Sequence, residues 1–585
     1  MQLTFLFLLL TTMFIVAGCS QNTENIPLKE SIRIHDIQGC SHKSPLASQN
    51  VKNIPGIVTK KVNNGFYLQD EQPDDRNCTS EAIFVFLDSF PEVLPGDRVE
   101  VSGKVEEFLP GETDDQNLTL TEIVDPEVKI ISRNNSLPEA TVIGKGECGI
   151  PGNNIDDDGM TRFQPENDGL DFYESLESML VQVNSGIVVG PRNEYNEVVI
   201  ISPECLKDNY ISENGALIQQ KDDPNPERLI LNLNDANTDR VNLGASLNDS
   251  VLGIMDYSYG SYKLNTFGKV QFLESQPANI EIDNEDAPLT LASYNVENLS
   301  RFDADSKFRA IATDITKNLD SPDIVILHEI LDDSGIEDDG TVSSTKTITR
   351  LVETIEDVGD TRYSFIDNVP DNNEDGGING GNIRSIILVK EGSGLTLLDI
   401  SQNPVIEQNP TRIGTNEWSF SATRKPLVAL FEYKSRQFLV VAVHLTSRGA
   451  DSPLFGSVQP IEKPEEAKRI AQAAYIQEYL DNFHNRFPAI NIIVAGDVND
   501  DSWSRTLEEL EGNLLSSLGE KLSIEERYSY ILEGNAVELD YILTSTQPDI
   551  SSSFEILHIN TVLDYTKQVS DHDPVYARFF FNGEP

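Results

Sequence analysis

The sequence predicts a multidomain chain in which two N-terminal all-β modules precede a C-terminal α/β domain. At 585 residues it is several times longer than the roughly 100 to 200 residues of one domain. Up to about residue 276, short β-forming runs alternate with Gly, Pro, Asn and Asp turns. From Leu289 onward, long apolar runs alternate with helical stretches, as in a sheet covered by helices. Hydrophobic residues make up 38% and charged residues 24%, which excludes wholesale disorder.

Residues 1–18 form an apolar stretch of signal-peptide length that ends in Ala17 and Gly18 before Cys19. It is too short for a membrane span, and no later segment is long and apolar enough for one. The VAGC ending resembles a bacterial lipobox, although no Lys or Arg precedes the apolar run. That resemblance implies lipidation at Cys19, a tether over 19–31, and contact with a membrane through the lipid anchor only. The expected location is the bacterial cell envelope, at the outer membrane or cell surface, or secretion after ordinary cleavage. Export permits disulfides. Cys40, Cys78, Cys148 and Cys205 allow three pairings; the most local, Cys40 with Cys78 and Cys148 with Cys205, gives each β module one bridge. No pair has the close spacing of a zinc site, and no cysteine follows Cys205, which excludes thiol chemistry there.

Residues 32–130 read as a small barrel, with IPGIVTKKV, NNGFYLQD, EAIFVFL and VEVSGKVEEF between turns. GIVT, GFYLQD and PGDRVEVSGKVEEF resemble the oligonucleotide/oligosaccharide-binding (OB) barrel found upstream of the catalytic domain in secreted bacterial nucleases. Residues 140–276, with LESMLVQVNSGIVVGPRNEYNEVVII and VLGIMDYSYGSYKLNT, resemble the companion OB-like module of those nucleases. An acidic linker, 277–288, follows. With 96 Asp+Glu against 44 Lys+Arg, the net charge is −52, which excludes long-range attraction to a polyanion. The modules are therefore expected to act as scaffold rather than as nucleic-acid grips, with Phe66 and Tyr67 in the core rather than stacked on bases.

Within 289–585, nearly every strand ends in a carboxylate, an amide or an imidazole. These are Asn295 and Glu297 in SYNVEN, Glu329 in VILHE, His444 in VVAVHLTS, Asp497 and Asn499 in VAGDVND, Asp540 in ELDYIL, and Asp571 with His572 in VSDHDPV. Strand ends are where α/β proteins place ligands. Carboxylates there suit a hard cation such as Mg²⁺ or Mn²⁺, and imidazoles beside them suit proton transfer.

N-x-E after the first strand, E after a buried strand, H-L-T-S, G-D-x-N-D, L-D-Y-I and S-D-H-D-P-V, in that order, resemble the endonuclease/exonuclease/phosphatase superfamily of deoxyribonuclease I-like enzymes. HLTSRGADSPLFGSVQP resembles its extracellular nuclease branch. The resemblance covers Leu289 to about Phe581 and implies a four-layer α/β sandwich that hydrolyses phosphodiester bonds of extracellular nucleic acid, DNA before RNA. It implies a metal held by Asn295, Glu329 and Asp571, and catalysis by His444, Asp497, Asn499, Asp540 and His572. Asp540 would fix the His572 ring, with either Asp497 or His572 as base. Arg384, Arg424 with Lys425, and Arg448 are candidate phosphate contacts, and Asn382 lies near the position expected for the partner of His444. His328 stands where Gln commonly precedes the metal-binding Glu. The alternatives are a phosphatase or phospholipid phosphodiesterase of the same superfamily, against which the nuclease-like stretch argues, and a non-catalytic surface lipoprotein, which would lack some of these residues.

Two loops carry spacing similar to a calcium loop. Asp371, Asn373 and Asp375 precede Gly376, and Asn154, Asp156 and Asp158 precede Gly159. These six are candidate Ca²⁺ ligands, although Asn382 and Pro165 occupy the position of the closing Glu.

Overall fold

The computed structural model describes residues 32–581 apart from 112–114, 147, 209, 235–238, 277–281, 283–286, 401–405, 407 and 546–548. The apolar leader, Cys19, the 19–31 tether and most of the 277–288 linker therefore lie outside the described residues. No helix among the described residues is long and apolar enough to cross a membrane.

Asn50–Val62, Gly65–Gln69, Ala82–Phe86, Leu120–Ser132 and Arg98–Phe108 close a five-stranded barrel in that spatial order. Ala82–Phe86 and Leu120–Ser132 run parallel, while the other neighbours are antiparallel. Alternation sends Val99 and Val101 inward to meet Phe66, Leu68, Ile83 and Ile123. Phe66 and Tyr67 are both buried, and the Tyr67 hydroxyl donates to Asp256 at 2.7 Å, tying barrel to the next module. Disulfides join Cys40 to Cys78 and Cys148 to Cys205.

The second module departs from the expectation of another OB-like barrel. It is a nine-stranded sheet running from Phe272–Leu273 at one edge to Thr141–Ile143 at the other. Edges this short expose few unpaired backbone groups, so the sheet ends without closing on itself. Its candidate calcium loop is a self-capped turn. Asp156 Oδ1 accepts from the backbone N–H groups of Asp158, Gly159 and Met160, and Asp158 pairs with Arg162 at 2.7 Å. Asn154 contributes its carbonyl to the Gly169 N–H.

Two sheets pack face to face in the C-terminal domain. One has the order Tyr363–Asp367, Arg384–Lys390, Ile324–Ile330, Leu289–Leu299, Val575–Phe581, Ile550–Ile556. The other runs Leu395–Leu397, Leu427–Tyr433, Arg436–His444, Asn491–Asp497, Asp540–Ser545, Leu515–Ser517, with Thr411–Arg412 beside Leu427–Tyr433. Leu291, Ile326, Phe431, Val440, Ile542 and Phe579 fill the space between them. Helices Asp305–Thr313 and Thr345–Gly359 cover the first sheet through residues such as Phe308, Ile348 and Leu351. Glu466–Arg486 and Arg505–Glu511 cover the second through Ala473, Ile476, Leu480 and Leu507. The spacing of Ile348, Leu351 and Ile355 is that of one helix face. Four layers result, as the sequence resemblance implies.

Candidate functional site

Bulges shape the strand ends that carry the polar residues. The register between Leu289–Leu299 and Ile324–Ile330 slips between Asn295 and Leu299, and that between Ile324–Ile330 and Arg384–Lys390 slips between Leu327 and Ile330. A bulge bends a strand and re-aims its side chains. Glu297, Asn298, Glu329 and Asn499 all adopt positive φ, from 50° to 62°, a conformation that costs a non-glycine residue about 1 kcal/mol or more. Gly496 has φ 147°, and a Cβ there would lie 1.8 Å from the Val443 carbonyl oxygen. Only glycine lets Arg436–His444 and Asn491–Asp497 approach closely enough to set His444 opposite Asp497.

The strand ends converge on one cleft of about 510 Å³, lined among others by Glu329, His444, Asp497, Asn499, Asp571 and His572. Asn295 Nδ2 donates to Glu329 Oε1 at 3.1 Å and to Asp497 Oδ2 at 3.3 Å. Glu329 Oε2 accepts the Asn298 N–H at 3.0 Å, and Asp497 Oδ1 accepts the Asn499 N–H at 2.9 Å. His444 Nε2 lies 3.5 Å from Asp497 Oδ2 and 4.0 Å from Glu329 Oε1. His572 Nε2 lies 4.0 Å from Asp497 Oδ2, while its Nδ1 is 2.7 Å from Asp540 Oδ2. Ser529 Oγ donates to that same Asp540 oxygen at 2.8 Å. Asp497, Asp540 and His572 thus bring three ligand-type atoms within 4.8 Å of one another.

Electrostatics separates these groups. Burial pushes the Asp497 carboxyl up to about 7, with Asp540 and Glu329 adding to the rise and His572 opposing it. Burial alone would lower His572, but the carboxylates of Asp540 and Asp571 outweigh it and hold the imidazole well above its usual value. His444 is held well below the usual range by burial and by Arg424, so its ring is neutral. Glu297 is pushed up to about 7 by partial burial and by Asp571 and Glu329. A neutral imidazole, a protonated one and a carboxyl titrating near neutrality face one cleft, a division that suits acid–base chemistry.

The candidate cations fare differently. Arg424 is buried and lines the cleft, donating to the Leu445 carbonyl while its Nε has no hydrogen-bond partner among the described residues. Arg448 also lines the cleft, in ion pairs with Asp501 at 2.9 Å and Asp451 at 3.4 Å. Arg384 does not reach it: the side chain is fully buried, bonded to the Asn382 carbonyl and 3.5 Å from Asp367. Asn382 likewise stays out of the cleft, donating to Asp332 at 2.8 Å and the Thr341 carbonyl at 2.7 Å. It is not the partner of His444, whose Nδ1 has no hydrogen-bond partner among the described residues. The candidate calcium residues beside it serve the loop. Asp375 is buried between Arg412 at 2.6 Å and Lys425 at 2.9 Å, and Asn373 binds Asp338 and the Gly380 N–H. Asp371 is exposed, its carbonyl accepting the Glu374 N–H. His328 is locked between Ser293 at 3.0 Å and Ser385 at 2.7 Å.

Three contributors escaped the sequence reading. The Tyr530 ring lies 4.8 Å from that of His572, tilted by 46°, Ser529 orients Asp540, and Gln219 of the nine-stranded module lines the cleft. None stands in a motif. Glu297 was visible in N-x-E but was given no role there.

Residues 130–275, which contain the whole nine-stranded sheet, match a family described as a domain of unknown function, DUF8508. No curated protein matches the chain. Solved structures similar to it include D. rerio TDP2 complexed with single strand DNA product, at 16% identity over 50% of this chain and 98% of that chain, with a TM-score of 0.35. The human Nocturnin catalytic domain with bound sulfate anion is 17% identical over 51% of this chain and 96% of its own, with a TM-score of 0.35. An endonuclease/exonuclease/phosphatase family protein from Bacteroides thetaiotaomicron is 15% identical over 51% of this chain and 98% of its own, with a TM-score of 0.34.

Proposed function

We propose that the chain is a divalent-metal-dependent phosphodiester hydrolase of the deoxyribonuclease I-like superfamily, acting on nucleic acid outside the cytoplasm. The observation that carries this reading is the Asp540–His572 pair set 4.0 Å from a second buried carboxylate, Asp497, in a cleft that also holds Glu329, Asp571 and the Arg424 Nε, which has no partner among the described residues. The six ordered motifs support it. The strand order of the barrel supports the OB-like reading of residues 32–130. The two disulfides support passage through an oxidising compartment, and with the VAGC leader they support export as a lipid-anchored protein.

The donor set fits a hard cation. Glu329 and Asp571 line the cleft, Asn295 is hydrogen-bonded to Glu329, and Glu297 is pushed up to about 7 by partial burial first and by Asp571 and Glu329 second, a proximity of carboxylates that a divalent ion would relieve. When bound, Mg²⁺ or Mn²⁺ supplies Lewis-acid stabilisation of the charge that develops on the phosphoryl oxygens.

The protein's own groups divide the remaining work. Asp497, titrating near neutrality, accepts a proton from the attacking water. His572, protonated through Asp540, donates to the phosphoryl oxygens as charge grows on them, in a cleft where such a hydrogen bond is strong. Neutral His444, the Asn499 amide and the free N–H of Arg424 orient the phosphate. As water's oxygen bonds to phosphorus, the bond from phosphorus to the leaving oxygen breaks, and that oxygen takes up a proton.

The substrate class is tested by incubating the protein with plasmid DNA, RNA and a phospholipid diester, with Mg²⁺ or with chelator. Chelator-sensitive cleavage of nucleic acid is expected. Hydrolysis of the lipid alone would favour the phospholipid phosphodiesterase, and binding without turnover under any metal would contradict an enzyme.

A further inference from the structure

The nine-stranded module enters the catalytic cleft. Its strand Leu217–Ile218 runs parallel to Asn535–Val537, which pairs in turn with Tyr530–Leu532, so one three-stranded sheet is shared between the module and the catalytic domain. The Gln219 N–H donates to the Ala536 carbonyl at 3.1 Å. Asn225 Nδ2 meets Asn535 Oδ1 at 2.8 Å, and Arg228 Nε donates to the Glu533 carbonyl at 2.6 Å. A second seam fixes the loop leading to Asp571 and His572. There Arg192 forms a buried ion pair with Asp564 at 2.9 and 3.2 Å, and the Val241 N–H donates to the same carboxylate at 3.0 Å. The module is thereby anchored at two points of the catalytic domain, the 530–537 hairpin and the loop that leads to His572.

Gln219, Leu532 and Val537 share the cleft with Asp571 and His572. This wall carries no charge of its own, whereas Arg424 and Arg448 line the same cleft as cations. Leu532 is 51% exposed, an apolar side chain left uncovered beside a polar cleft. A phosphodiester of nucleic acid offers matching halves: an anionic phosphate for the cations and an uncharged nucleoside for the neutral wall. A carboxamide has two donors and one acceptor, the complement of a base edge, and the leucine gives the base face an apolar cover.

We propose that Gln219 is a specificity residue that contacts the nucleoside next to the scissile phosphate, with Leu532 packed on its base, so that the β module forms part of the substrate site. This rests on the phosphodiester-hydrolase reading. The test uses the full chain and compares Gln219→Leu with wild type on two diesters, a thymidine dinucleotide and bis(4-nitrophenyl) phosphate, which lacks any nucleoside. The expected result is a KM about tenfold higher for the dinucleotide, as for loss of one good hydrogen bond, with kcat within about twofold and unchanged kinetics on the nucleoside-free diester. Identical kinetics on the dinucleotide, or an equal loss on both substrates, would overturn the proposal. Leu532→Ala, which leaves the backbone pairing in place, is the second variant and carries the same expectation. Wild-type protein that hydrolyses neither diester would instead defeat the hydrolase reading. The dinucleotide's Kd, measured in chelator, then decides the contact: about tenfold weaker binding by Gln219→Leu supports it, and equal binding overturns it.

Discussion

Asp540→Asn removes one charge and almost no volume, so it isolates what the carboxylate does for His572. Asp540 is fully buried, with Oδ2 2.7 Å from His572 Nδ1 and 2.8 Å from Ser529 Oγ. Two unit charges at that separation attract by about 6 kcal/mol at an effective dielectric of about 20, and removing one partner of a buried pair typically costs about 3 to 5 kcal/mol. One pKa unit corresponds to about 1.4 kcal/mol, so the imidazole should lose at least about two units. In wild type the carboxylates of Asp540 and Asp571 outweigh burial and hold His572 well above its usual value; in the variant one of those carboxylates is gone, so the ring gives up its proton at lower pH and loses donor strength toward phosphate. The expected result is a kcat lower by about 10² to 10⁴, the range for general acid–base groups, with KM changed by less than about threefold. The assay is the pH–rate profile of diester hydrolysis in saturating Mg²⁺. Its alkaline limb, where His572 gives up its proton, should shift to lower pH by at least about two units. A variant with wild-type kcat and an unmoved alkaline limb would refute the pairing as the source of the activity.

Gly496→Ala places a Cβ 1.8 Å from the Val443 carbonyl oxygen; the strands must separate, and an apparent loss of about 3 kcal/mol or more, read by urea unfolding, should accompany loss of turnover. Arg192→Ala leaves Asp564 buried without its partner, so the same measurement should show a loss of about 3 to 5 kcal/mol, although Arg192 lies outside the catalytic domain. Burial pushes Asp314 up to about 7, against the hydrogen bonds from Tyr294 and Asn318. A carboxyl raised in the folded state binds its proton more tightly there than in the unfolded chain, so this residue's contribution is full below pH of about 4 and is lost as pH rises to about 7. Asp314→Asn should therefore flatten the decline in stability over that window, by up to about 4 kcal/mol, and an unchanged slope would contradict the shift.

What could be read in advance was what local pattern encodes. Asn295, Glu329, His444 and Asp497 each close a long apolar run and Asp540 opens one, and a run of that kind announces both a buried strand and the places where it begins and ends. Arg384 shows the limit. An arginine beginning a strand looks the same in sequence whether it faces a cleft or, as here, is buried against Asp367. The acidic loops mislead for a related reason: Asp156 and Asp375 have the spacing of cation ligands, but one caps backbone N–H groups and the other neutralises Arg412 and Lys425. The nine-stranded sheet was mistaken for a second barrel because edge strands of two or three residues leave no periodicity to detect. Gln219 and the 530–537 hairpin lay furthest from reach, because a strand pairing across more than three hundred residues has no local signature.

The most direct test of the central claim is single-turnover hydrolysis of a DNA oligonucleotide by wild type and His572→Ala across a Mg²⁺ titration. The account predicts no cleavage without metal, saturating cleavage by wild type as Mg²⁺ rises, and a rate at least about 10²-fold lower in the variant at every Mg²⁺ concentration, with both proteins binding the metal equally. Metal-independent cleavage, or a variant as fast as wild type, would contradict it.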